Sequence, residues 1–155
     1  MPGAPPRRIV IIGGVAAGMS AATRLRRLDE SAAITVVERG GHVSFAGCGL
    51  PYYVGGVIAE RDDLLLQTPA SLAARFALDV RVRTEATAID RAARTVRVRT
   101  TTGPAGATAE EDLPYDALVL APGARPVLPP VSGMERALTL RDVADADALV
   151  GAVAT

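Results

Sequence analysis

The chain of 155 residues holds a single cysteine, Cys48, so no disulfide can close within it. That excludes a disulfide-stapled scaffold and suits a reducing cytoplasm. Any redox work by Cys48 must then cycle with an external sulfur or with oxygen. Tryptophan is missing, and the aromatics are three Tyr and two Phe. The core must therefore be built from Val, Leu, Ile and Ala. Lysine is absent as well: all 17 basic residues are arginine, and 17 acidic residues cancel them. A balanced charge gives no general pull toward nucleic acid or an anionic membrane. One histidine, His42, and one cysteine provide no metal-ligand spacing, so no metal is expected. Long apolar runs are lacking too. Ile9-Val10-Ile11-Ile12 ends at Gly13, too short for a signal-peptide core or a membrane span. The expectation is a soluble cytoplasmic protein with no nucleic-acid or membrane partner.

What is present is a 49% hydrophobic chain, globular in composition. Residues 1–6 read as a flexible Pro/Gly-rich tail. The Ile9–Ile12 run has the character of a parallel strand buried on both faces. A helical pattern follows over 17–29, with Met19, Ala22, Leu25 and Leu28 inward and Arg24, Arg26 and Arg27 mostly outward. Residues 33–37 give a second strand closed by Glu38, which completes a right-handed βαβ unit. A Gly-rich connection over 39–56 contains Cys48. Pro69 to Ala77 predicts a short helix, and strands follow at 78–82, 86–90 and 95–100. A Thr/Gly/Ala/Pro loop over 101–109 makes 95–113 a hairpin with a long tip. Tyr115 to Leu120 predicts another buried strand, and 126–130 a Pro-rich linker. A helical pattern over 142–153 runs into the terminus, as in a piece of a longer protein.

Two features carry chemistry. Gly13-Gly14-Val15-Ala16-Ala17-Gly18 stands between a buried strand and a helix, the setting a dinucleotide fingerprint requires. Gly13 permits the tight turn, Gly18 allows close helix–strand approach, and the helix N-terminus offers unpaired N–H groups to a pyrophosphate. Val15 replaces the usual middle glycine. Glu38, at the end of the second strand, is placed to accept hydrogen bonds from both ribose hydroxyls and to repel a 2′-phosphate. A Gly-rich turn beside a surface glutamate is the alternative reading. The second feature is Cys48 in Ser44-Phe45-Ala46-Gly47-Cys48-Gly49-Leu50-Pro51-Tyr52-Tyr53. Residues 49–53 read as a helix opening with an early proline, which puts Cys48 at its N-terminus, where the dipole favours the reactive thiolate. An inert buried thiol is the alternative there.

With these motifs and Leu118-Val119-Leu120-Ala121-Pro122-Gly123, the chain resembles the N-terminal part of the FAD-dependent pyridine nucleotide-disulfide oxidoreductases. It is most similar to their single-cysteine branch, the coenzyme A-disulfide reductase group with its persulfide reductase and NADH oxidase relatives. The resemblance runs from about residue 7 to 150. It implies an α/β, Rossmann-like FAD-binding domain: a parallel sheet with a βαβ unit, plus a small antiparallel hairpin or meander, incomplete at the C-terminus. It implies that 7–125 is the N-terminal part of that domain. Residues 126–155 would then be a linker and the start of a helix leading to an NAD(P)H-binding domain outside this chain.

The resemblance also implies site roles. FAD would be held non-covalently by Gly13, Gly14, Val15, Ala16, Ala17, Gly18, Glu38 and Arg39, with Ala121, Pro122 and Gly123 along its diphosphate. Cys48 would lie beside the flavin ring and form a mixed disulfide with a small-molecule substrate, a CoA-type disulfide or persulfide. NAD(P)H would be the co-substrate. Ser44, Arg24 and Arg27 match places where the family meets CoA, and the full-length protein would be a homodimer. The chain departs from the pattern at Gly47, where an Asn often stands, at Pro122, where many relatives carry Thr, and around Phe76, which lacks a lysine. Two other readings remain: an oxidase or peroxidase cycling Cys48 through sulfenic acid, and a non-catalytic nucleotide-binding fragment.

Overall fold

A computed structural model describes residues 5–103 and 106–153. In chain order the elements begin with β1 (Arg8–Ile12), α1 (Ala16–Leu28), β2 (Ala33–Val37), α2 (Leu50–Val54) and α3 (Pro69–Phe76). They continue with β3 (Asp79–Arg81), β4 (Thr84–Asp90), β5 (Thr95–Thr102), β6 (Ala107–Pro114), β7 (Ala117–Leu120) and α4 (Val143–Val153). Two compact units divide the chain. The first combines the segment up to Ser44 with Gln67–Pro122, and the second combines Phe45–Leu66 with the segment from Gly123 onward. The expected tail at 1–6 lies mostly outside the described residues.

In the first unit a four-stranded sheet has the order β3-β2-β1-β7. Every pairing in it is parallel, with Ile9 opposite Ile34 and Val10 opposite Leu118. The unbroken apolar run of β1 has a physical reason, since both faces of the sheet are covered. Ile9 and Ile11 pack on one face with Met19 and Ala22 of α1, Leu72 of α3, and Leu78. Val10 packs on the other face with Val96 and Val98 of β5 and with Leu113 and Tyr115. The second face belongs to an antiparallel sheet of order β4-β5-β6. Burying an aliphatic side chain such as Ile11, which is 0% exposed, contributes about 1.5–3 kcal/mol.

Three expectations are corrected. Leu28 is 66% exposed, while Arg26 reaches inward. A helix advances about 100° per residue, so a series spaced by three drifts about 60° at each step. By that geometry Leu28 falls opposite Met19, whereas Arg26 returns to the face of Met19. There its guanidinium donates to the carbonyls of Phe76 (2.9 Å), Ala77 (3.0 Å), Asp29 (3.3 Å) and Glu30 (2.6 Å).

The expected loop at 101–109 is largely strand: Thr101 pairs with Thr108 and Thr102 with Ala107. Threonine suits a pleated strand, and Gly103 and Gly106 both stand at positive φ. The expected buried strand at 115–120 begins at Ala117 and forms a sheet edge with Leu120 61% exposed. Tyr115 instead joins the cluster beneath the antiparallel sheet. Within the Gly-rich connection the helix opening expected at 49–53 is present as α2.

The second unit has its own small core. Leu50 and Leu64 pack with Val143 and Ala146 of α4, joined by Phe45, Tyr53, Ile58 and Leu65. Ala46 N–H donates to the Leu64 carbonyl at 2.8 Å, and Arg61 forms an ion pair with Asp147 at 2.9 Å. Among the described residues, no helix is long and apolar enough to cross a membrane.

Candidate functional site

The first unit carries a cleft of about 160 Å³ lined by Ile12, Gly13, Val37, Glu38, Arg39, Thr84, Glu85, Ala86 and Pro122. It opens at the carboxyl ends of β1 and β2. Because β2 and β7 flank β1 on opposite sides, the chain changes direction there, which is where open α/β sheets hold ligands.

Backbone contacts shape this end of the sheet. Gly13 N–H donates to the Val37 carbonyl and Ala121 N–H to the Ile12 carbonyl, each at 2.8 Å. Gly13 has φ +107°, and any side chain on it would strike the Ala121 carbonyl. A side chain at Gly18 would likewise strike the Gly13 carbonyl. The two glycines therefore let β1, the start of α1 and the end of β7 converge.

Beyond that turn, Val15 stands at the N-cap of α1 with its carbonyl accepting from Met19 N–H at 3.0 Å. Among the described residues, no side chain caps α1, and its first turn has no acid. The first N–H groups, those of Ala16, Ala17 and Gly18, are thus left to water or to an anion.

Glu38 is positioned by this loop. Its Oε2 accepts from Gly14 N–H and its Oε1 from Gly40 N–H, both at 2.7 Å. Each carboxylate oxygen keeps a second lone pair. An uncapped helix start, a glycine-lined approach and a fixed carboxylate suit the phosphates and ribose of a dinucleotide, so the residues present fit the ADP half of FAD. Arg39 lies beside Glu38 on the cleft wall, exposed.

Thr84, Glu85 and Ala86 also line the cleft, although the motifs gave no sign of them. They come from β4, and only the packing of the antiparallel sheet brings that strand here. Thr84 is buried, bonded to the Val82 carbonyl (3.0 Å) and paired with Thr100 (3.1 Å), and Glu85 is tied to Arg99 at 2.8 Å.

The other expected site residues are not among those that line this cleft. Ser44 closes the first unit in the left-handed region (φ 49°), its N–H donating to the Gly14 carbonyl at 2.9 Å. Arg24 and Arg27 sit on the exposed face of α1 and, among the described residues, bond to nothing. Gly123 and Cys48 belong to the second unit.

Cys48 occupies the middle of a single 3₁₀ turn, Gly47–Gly49, that leads directly into α2. Gly49 N–H donates to the Ala46 carbonyl at 2.9 Å, and Gly49 is buried against Leu64 and Ile58. Cys48 itself is exposed and free. An accessible thiol on a turn braced from below can meet a disulfide from solution, unlike a thiol sealed in a core.

Comparison with known proteins fits this arrangement. The chain is 38% identical over 120 residues to a coenzyme A disulfide reductase of Staphylococcus haemolyticus, covering 76% of this chain and 26% of that protein. It superposes on reduced Bacillus anthracis CoADR-RHD with a TM-score of 0.86 at 45% identity, covering 96% of this chain and 27% of that one. An NAD-dependent persulfide reductase from A. fulgidus gives a TM-score of 0.84 at 42% identity, covering 95% and 27%. The chain thus spans about a quarter of the length of these relatives. Residues 7–153 match the pyridine nucleotide-disulphide oxidoreductase family, and the chain, a Rossmann-type parallel sheet with an appended antiparallel sheet, belongs to it.

Proposed function

We propose that this chain is the N-terminal part of a flavin-dependent NAD(P)H:disulfide oxidoreductase that reduces CoA disulfide or a CoA persulfide through Cys48. The observation that carries the reading is the exposed, glycine-flanked Cys48 in a chain 38% identical to a coenzyme A disulfide reductase. Residues 7–125 would form the N-terminal part of the FAD domain, and 126–155 would lead toward an NAD(P)H domain supplied by further sequence. The full-length protein would act as a homodimer in the reducing cytoplasm.

Bound FAD supplies an electron pair taken from NAD(P)H. This chain's residues supply the rest. The N–H groups of Ala16, Ala17 and Gly18 would receive the diphosphate, Glu38 would hold the ribose, and Ala121-Pro122-Gly123 would flank the diphosphate. Ser44, Arg24 and Arg27 meet the CoA moiety, where an arginine fork suits phosphate.

Cys48 Sγ, as thiolate, attacks one sulfur of CoA disulfide and expels a CoA thiolate. The mixed disulfide then accepts the electron pair and one proton, releasing the second CoA thiol and restoring the Cys48 thiolate. The sum is one NAD(P)H, one proton and one disulfide giving NAD(P)⁺ and two thiols. In this reading the substrate sulfur is the partner of Cys48.

The test uses the full-length protein, reduced anaerobically with NAD(P)H and offered CoA disulfide, a CoA persulfide or oxygen. Rapid return of the oxidised flavin spectrum with one of the sulfur substrates, and two thiols formed per CoA disulfide, is the expected result. Reoxidation by oxygen or peroxide alone would replace this reading with the oxidase one. Full-length protein that binds no FAD would support the non-catalytic reading. Cys48→Ser is expected to keep the bound flavin and lose disulfide reduction altogether, checked by absorbance and by thiol release.

A further inference from the structure

Among the described residues, the arginines that hold carboxylates in ion pairs are Arg8, Arg61, Arg81, Arg97 and Arg99. Arg141 behaves differently although Asp142 and Asp145 stand close in sequence. Both acids are committed to the start of α4. Asp142 Oδ1 accepts from Asp145 N–H at 3.0 Å. Asp145 Oδ2 accepts from the Thr139 hydroxyl at 3.0 Å and from Arg141's own backbone N–H at 2.7 Å. The backbone of Arg141 is thereby fixed, while its guanidinium is left to reach elsewhere.

It reaches the segment that follows β7. Arg141 Nε donates to the Ala124 carbonyl at 2.8 Å. Its Nη2 lies over Gly123, so close that a side chain there would come within 2.9 Å of it. Gly123 has φ +68°, a left-handed conformation that glycine adopts without steric penalty but also leaves readily, since so many alternatives are open to it. The start of this segment is already fixed, by Ala121 N–H on the Ile12 carbonyl. Its far end is held by Arg141.

We propose that Arg141 is a positioning residue for the flavin nucleotide: it clamps the Gly123–Ala124 turn and so holds the Ala121–Gly123 backbone in the conformation that receives the diphosphate. This rests on the reading of that segment as part of the FAD site. Without the clamp the binding conformation is only fractionally populated, and the apparent Kd rises by the reciprocal of that fraction. Loss of one charge-assisted hydrogen bond corresponds to roughly tenfold.

The test uses the full-length protein stripped of flavin, with FAD affinity read by fluorescence titration and apoprotein Tm read beside it. R141A is expected to weaken FAD binding about tenfold while leaving the apoprotein Tm near that of the parent. R141K, which keeps the charge but lacks the Nε donor and the fork, is expected to fall between the two. It carries the same comparison should R141A not fold. G123A perturbs the same turn, so R141A is expected to cost less in the G123A background than alone. Unchanged FAD affinity in R141A, or losses of R141A and G123A that simply add, would overturn the clamp alone. A parent protein that binds no FAD would overturn the flavin reading and the clamp with it.

Discussion

Gly13 and Gly18 work through the side chains they lack. Each presents its α-carbon to a carbonyl, Gly13 to that of Ala121 and Gly18 to that of Gly13. A methyl group at position 18 must push the helix from the strand. Gly18→Ala is expected to cost about 1–3 kcal/mol, measured by urea unfolding of the apoprotein, and to weaken FAD binding in step. Glu38 poses a separate question, since it both receives two backbone N–H groups and faces the cleft. A neutral amide keeps the shape, loses charge-assisted bonding, and turns an NH₂ toward one of those N–H donors. Glu38→Gln is expected to weaken FAD binding about tenfold or more, the equivalent of about 1.4 kcal/mol. Equal affinity for FAD in the two proteins would remove Glu38 from the site. The glycines and Glu38 could be read from the sequence because strand, turn and helix spacing fix them locally. Thr84, Glu85 and Ala86 could not, because nothing within β4 marks its approach to the cleft.

Among the elements, α1 shows how a small error in period changes a prediction. A spacing of three suggested that Leu28 is buried, whereas the true advance of the helix turns Arg26 toward α3 and leaves Leu28 in water. Arg26 joins the end of α1 to the end of α3 by bonding the carbonyls of Asp29 and Glu30, just past α1, and those of Phe76 and Ala77, at the end of α3. Carbonyls at or past a helix end have no partner within the helix. Arg26→Ala is expected to destabilise the protein by about 2 kcal/mol, followed by thermal or urea unfolding. Arg26→Lys should recover only part of this, since an ammonium cannot span four carbonyls as a planar fork does. The short helix α3 was more readable, because Pro69 marks its first turn and Leu72 and Phe76 stand four apart. Thr68 and Ser71 form a reciprocal capping box, Pro69 opens the first turn, and Ala77 ends the helix in the left-handed region.

At the scale of the whole molecule, ion pairs join distant parts of the chain, and that of Arg8 with Asp116 spans the most sequence among the described residues. Arg8, at the start of β1, donates to Asp116, just before β7, through its guanidinium (2.8 Å to Oδ1, 3.2 Å to Oδ2) and through its backbone N–H (2.8 Å). The Arg8 side-chain hydrogen bond, then its backbone N–H, hold the Asp116 carboxyl well below the usual carboxylate range. A carboxyl depressed in the folded state contributes stability that is complete above the unfolded value of about 3.9 and is lost as pH falls toward the folded one. The pair is solvent-exposed, so its contribution is small. Asp116→Asn is expected to lower Tm slightly at pH 7, with the gap closing as pH falls below about 4. Calorimetry from pH 7 to 2 follows it; a gap that persists at the acid end would contradict the assignment.

Sequence alone determined the βαβ unit, the fingerprint, the acid ending β2 and the singularity of Cys48. Each is a matter of spacing along a few residues, where backbone geometry and side-chain period act locally. Tertiary structure decided what depends on contacts between residues far apart in the chain. It placed the antiparallel sheet over Val10, brought β4 to the cleft, turned Arg26 inward and set Arg141 on the Gly123 turn. It also decided that the solitary cysteine stands exposed on a braced turn. Exposure belongs to the packing around a residue, and no local pattern encodes it.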